Sequence, residues 1–132
     1  MRLVVDANIL FAALLREGDT AELLIYSDLA LFAPETLFRE FEKYEHMLEA
    51  RSTHIQPTFQ EVLKLIRKRV AIIEVLPEYF RAAEQFSPDL KDSAYLALAL
   101  QLNIPLWTND KVLQRQQRGQ IYATAELLNF LR

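Results

Sequence analysis

Cysteine is absent from the sequence, and glycine occurs only twice, at Gly18 and Gly119. The first absence excludes disulfides, Cys-ligated zinc and thiol nucleophiles. The second leaves no glycine-rich loop to cradle a phosphate, which removes the dinucleotide-binding and P-loop classes. No apolar run approaches the roughly 18 residues that a membrane helix needs, and the first residues lack a secretory-signal pattern. The expectation is a protein with no membrane association, retained in the cytoplasm. There is no internal repeat, low-complexity tract or linker. The 132 residues therefore read as one domain, 1–132, large enough to bury a full core. A net charge of −3 argues against a general nucleic-acid coat, though it leaves room for a local basic groove.

What is present is a regular alternation of apolar segments. Residues 2–5 read as a buried strand and residues 8–16 as a helix ended by Gly18. Residues 20–27 read as a second short helix, capped by Asp19 or Thr20. Residues 29–32 form a strand stopped by Pro34, which also opens a long helix to about residue 50. Residues 57–70 are the clearest amphipathic helix, with Phe59, Val62, Leu63, Ile66 and Val70 at helical spacing. A strand at 71–75, a helix at 78–86 and a turn at "SPDL" follow. Residues 90–102 then form a helix apolar nearly all round. Short strands at 105–107 and 120–123 each precede a helix, at 110–115 and 125–131.

Strands alternating with helices give an α/β fold whose parallel sheet is covered on both faces. Ligand sites in such sheets lie beyond the carboxyl ends of the strands. Asp6 falls there after the first strand, and Asp110 just after the strand "LW". In "PETLFREFEKYEHMLEA" the buried stripe is Leu37, Phe41, Tyr44 and Leu48. Glu40 lies on one flank of that stripe and Glu45 on the other, and periodicity does not choose between them. Glu40 is nearer the helix start and is preferred. Asp92 shares a helix face with Tyr95, Leu96 and Ala99, while Asp89 suits the cap.

Each acid also has an ordinary reading as a turn former, a helix cap or a first-turn acid. Gathered in one crevice, however, they would repel. Two like charges about 4 Å apart cost about 4 kcal/mol at an effective dielectric near 20. A cation relieves this, and oxygen ligands alone select a hard one, Mg²⁺ or Mn²⁺. Carboxylates holding such an ion suit phosphoryl chemistry.

The segments "VVDANIL", "LFREFEKY" and "KDSAYLALALQLNIPLWTND", in this order and spacing, carry a family likeness. The chain resembles the PIN-domain family, especially the small toxin ribonucleases called VapC, over essentially its whole length. The resemblance implies a three-layer α/β/α sandwich around a five-stranded parallel sheet, and metal-dependent endonucleolytic hydrolysis of RNA. It matches Asp6, Glu40, Asp92 and Asp110 to the family's acidic quartet. Asp6, Asp92 and Asp110 would be metal ligands, and Glu40 would bind or position a water on the metal. Asn8 and Thr108 match polar positions that orient the ligating carboxylates. Position 7 is Ala, where relatives often carry a hydroxyl. Arg16, Arg39, Lys43, Lys91 and Lys111 could rim the crevice and hold phosphates.

The resemblance further implies a homodimer and an antitoxin protein partner. Phe11, Leu14, Leu15, Leu23, Leu24 and Ile25 give the first two helices more apolar surface than one stripe needs, as an interface would. The basic run 67–69 reads as a helix C-terminus. His46 and His54 have no partner at catalytic or metal spacing and read as surface residues. Two alternatives remain. A phosphatase with Asp6 as nucleophile usually carries a second Asp where Asn8 stands. A non-catalytic PIN-like module would bind RNA or a protein.

Overall fold

The computed structural model describes residues 1–85, 90–115 and 120–131, except the side chains of Leu90, Lys91 and Asp92. The elements run β1 (Arg2–Val5), α1 (Ala7–Leu15), α2 (Asp19–Tyr26), β2 (Ala30–Pro34), α3 (Thr36–Arg51), α4 (Phe59–Arg69) and β3 (Val70–Ile73). They continue with α5 (Pro77–Glu84), α6 (Leu90–Leu102), β4 (Leu106–Trp107), α7 (Lys111–Gln114), β5 (Ile121–Tyr122) and α8 (Thr124–Leu131). The "SPDL" turn and the Asp89 cap lie outside the described residues.

The five strands form one parallel sheet in the order β3-β2-β1-β4-β5. The first strand is therefore the central one. Leu3, Val4 and Val5 are all fully buried, as residues between two covered faces must be. On one side of the fold α1 packs with α2, α3 and α4; elsewhere α5 packs on α6, which lies on β1, β2 and β4. This is the three-layer α/β/α sandwich expected. Its core holds Trp107, Tyr95, Phe41, Ile66 and Leu98.

Several local expectations give way. Pro34 ends β2 and does not open α3. Pairing with β1 stops at Phe32, so Pro34 has only β3 beside it and its missing donor matters little. Neither Asp19 nor Thr20 caps α2. Gly18 takes that place at φ 150°, where a side chain would be strained, and no side chain caps the helix. Tyr44 does not join the buried stripe of α3; it is 39% exposed and meets Phe11 edge-to-face at 5.9 Å. In the extra apolar set, Leu14, Leu23 and Leu24 are buried, and Phe11, Leu15 and Ile25 pack against the core from its margin. Packing between helices thus absorbs most of that surface.

The segment after α3 closes the end of α1. Ser52 Oγ donates to Leu14 O at 2.7 Å, Thr53 N to Leu15 O at 2.8 Å, and His54 Nε2 lies 2.7 Å from Ala13 O. These bonds satisfy carbonyls that a helix C-terminus leaves unpaired. His54 is therefore a half-buried structural residue and not the surface residue expected from its lack of a partner in sequence.

Candidate active site

Asp6 follows the central strand directly. It is also the N-cap of α1: its Oδ1 accepts from Ala7 N at 2.8 Å. The other oxygen, Oδ2, accepts from Thr108 Oγ1 at 2.7 Å. Thr108 follows β4, so this bond spans the point where the sheet order reverses, between β1 and β4. Doubly wound sheets open their crevice there.

Thr108 is the hub of the cluster. Besides donating to Asp6, its hydroxyl accepts from Asn8 Nδ2 at 3.2 Å and from Asp110 N at 3.0 Å. Its carbonyl accepts from Gln114 Nε2 at 2.9 Å. Asp110 caps α7 by accepting from Val112 N at 2.8 Å, and its second oxygen makes no hydrogen bond among the described residues. The cap reading and the site reading of both Asp6 and Asp110 are thus compatible, since one oxygen serves each.

Glu40 comes from the second turn of α3. Its Oε1 accepts from Tyr95 Oη at 3.3 Å. Glu40 acts electrostatically on Asp6, which identifies it, and not Glu45, as the α3 acid facing the cluster. Asp92 lies in the first turn of α6, one turn before Tyr95, and its side chain is outside the described residues.

Asp6 is only 4% exposed, and burial pushes its carboxyl up from 3.8 to about 6. The bonds from Thr108 and Ala7 pull it back, while the charges of Asp110 and Glu40 push it further up. Burial also raises the Tyr95 phenol far above its ordinary range, and Glu40 and Asp6 reinforce the shift. The phenol therefore stays protonated at any working pH.

No group of three Asp, Glu, His or Cys side chains among the described residues is close enough to hold a metal ion by itself. The donor set nonetheless fits a hard divalent cation. It is all oxygen, and it carries mutually repelling charge. Asn8 Oδ1 is buried beside it with no hydrogen-bond partner among the described residues.

Two contributors escape sequence reasoning. Tyr95 could have been found, since a phenol in an Ala- and Leu-rich helix needs a partner for its hydroxyl. Thr124 could not. Its hydroxyl accepts from Trp107 Nε1 and Asn109 Nδ2, both at 3.1 Å, and its backbone N donates to Asn109 Oδ1 at 2.9 Å. It also meets Thr20 Oγ1 at 3.1 Å. This network fixes the loop that carries Thr108 and Asp110.

Fold and cluster together define an α/β domain that gathers carboxylates at the carboxyl edge of a parallel sheet. The chain belongs to the PIN-domain family, whose model matches residues 4–120. PIN domains are generally nucleases, and those nucleases generally use divalent metals. The fold is similar to that of VapBC2 from Rickettsia felis, bound to a DNA fragment from its promoter. The TM-score is 0.67 at 16% identity, covering 93% of this chain and 98% of that one. It is also similar to PAE2754 from Pyrobaculum aerophilum, with a TM-score of 0.64 at 21% identity over 99% and 98% of the two chains. At such identities the likeness is one of fold. No curated protein sequence matches the chain. Among the described residues no helix is long and apolar enough to cross a membrane.

Proposed function

We propose that the chain is a metal-dependent endoribonuclease, the toxin of a toxin–antitoxin pair, acting in the cytoplasm as a homodimer. The observation that carries the reading is Asp6: a carboxyl whose pKa is raised first by burial and then by the charges of Asp110 and Glu40, at the carboxyl end of the central strand. A group kept there at a cost in stability is a candidate for chemistry.

Asp6, Asp92 and Asp110 would hold Mg²⁺ or Mn²⁺. When bound, such an ion lowers the pKa of water and steadies charge on the phosphate oxygens. Thr108 fixes Asp6 by donating to Oδ2, and Asn8 in turn donates to Thr108, so the carboxylate is orientated before substrate arrives. Glu40 would orient the attacking water and take its proton. Arg16, Arg39, Lys43 and Lys111, all exposed, would hold flanking phosphates, with Lys91 from the start of α6. The likeness to VapBC2, a protein bound to promoter DNA, supports an antitoxin partner.

The alternative is a non-catalytic module that binds RNA or a protein. Cleavage of labelled single-stranded RNA and transfer RNA separates the two. Wild type and Asp6→Asn are compared in Mg²⁺, in Mn²⁺ and in EDTA. The nuclease reading expects cleavage that needs metal and disappears in the variant. Failure to cleave any RNA, together with failure to bind metal, selects the binding module.

A further inference from the structure

We infer that Tyr95 is a positioning residue whose hydroxyl holds the Glu40 carboxylate toward Asp6. The inference rests on the nuclease reading of the same crevice.

Helix α6 is apolar nearly all round, and Tyr95 is 1% exposed. Burying a phenol there is unfavourable unless its hydroxyl finds an acceptor. Glu40 Oε1, 3.3 Å away, is that acceptor. A carboxylate only accepts, so the proton points from α6 to α3. Thr36, one turn before Glu40, lies beside the same phenol without forming a well-aligned hydrogen bond. Thr36, Glu40 and Tyr95 thus bring three polar side chains together between α3 and α6.

The arrangement opposes a specific force. Glu40 and Asp6 repel each other, and each also acts on the phenol. Glu40 is only half-buried and has three rotatable bonds by which to swing toward water. The Tyr95 hydroxyl is one restraint on that swing. It keeps the second carboxylate where it adds to the field that holds a cation and where it can orient a water.

The test is a cycle of Tyr95→Phe, Glu40→Ala and the double variant. Cleavage of single-stranded RNA and calorimetric Mn²⁺ binding are the readouts. Tyr95→Phe keeps the ring and removes only the hydroxyl. We expect kcat to fall about tenfold with KM unchanged, as fits loss of one bond to a charged group. Mn²⁺ affinity should fall several-fold. In the Glu40→Ala background the same change should do nothing to either readout, because no carboxylate is left to hold. A purely structural role would instead lower the unfolding midpoint and act equally in both backgrounds.

Wild-type behaviour in Tyr95→Phe, or an equal loss in both backgrounds, overturns the inference and leaves the nuclease reading intact. A wild type that binds Mn²⁺ but cleaves no RNA overturns the nuclease reading. The Mn²⁺ cycle then decides Tyr95 by itself. A wild type that neither binds Mn²⁺ nor cleaves RNA in either metal overturns both.

Discussion

Replacing Asp6 by asparagine should stabilise the metal-free protein at neutral pH. The native state raises the Asp6 pKa from 3.8 to about 6, so it holds the proton more tightly than the unfolded chain does. Below about pH 4 both states are protonated and the group contributes nothing. As pH rises from about 4 to about 6 the unfolded chain ionises more readily, and stability falls. Above about pH 6 the loss is complete, at about 3 kcal/mol for a shift of about two units.

Asparagine removes that charge but turns one acceptor into a donor. Thr108 Oγ1 already takes protons from Asn8 and Asp110, so its own hydroxyl proton would lose its acceptor. That costs about 1 kcal/mol. The net gain is about 2 kcal/mol at about pH 7.5, or an unfolding midpoint higher by roughly 5–8 °C. Near pH 4 only the lost hydrogen bond remains, and the variant should be the less stable of the two. Thermal unfolding in EDTA across this range gives the answer. Crossing stability curves support the argument. An asparagine variant that is less stable than wild type at every pH refutes it, since burial would then impose no cost on the charge. Saturating Mn²⁺ should stabilise wild type, by about 3 kcal/mol at a hundredfold excess over Kd, and leave Asp6→Asn unmoved.

Thr108→Val keeps the shape of a buried side chain but deletes the hub hydroxyl. It should destabilise by about 2–4 kcal/mol in urea unfolding, because Asp6, Asn8 and Asp110 N each lose a partner. Thr108→Ser should recover most of that. Arg69→Lys should cost about 2 kcal/mol by the same assay, because one ammonium cannot reproduce the fork that donates to the carbonyls of Leu24, Ser27 and Leu29.

The strands and acids could be read from the sequence for a definite reason. Parallel strands buried on both faces appear as unbroken apolar runs, and a polar residue directly after one lands on the carboxyl edge. This places Asp6, and Thr108 with Asp110 after β4. The rest depends on tertiary choice. Glu40 and Glu45 flank the same stripe, and only the packing of α6 against the sheet, with Tyr95 on it, distinguishes them. Thr124 acquires its role from Asn109 and Trp107, 15 and 17 residues earlier, across a parallel strand pair with no local pattern. The run 67–69 forms the last turn of α4, as its sequence implies, but its contacts have no local signal. Arg69 staples the turn between α2 and β2, and Arg67 stacks 4.4 Å over Phe38. His54 shows the converse: it has no partner in sequence, yet its ring meets a carbonyl 41 residues away.

The position of β1 has a consequence in time. Its two neighbours come from opposite parts of the chain, and the bond that closes the crevice joins residues 102 apart. A growing chain that stops short of β4 already carries Asp6 and Glu40, but it has no Thr108 to orient the first and no Asp110 to complete the acidic field. Long-range parallel pairing is also slow to form. Whatever chemistry the crevice performs is therefore withheld during synthesis, until nearly all of the described chain has left the ribosome and the sheet has closed.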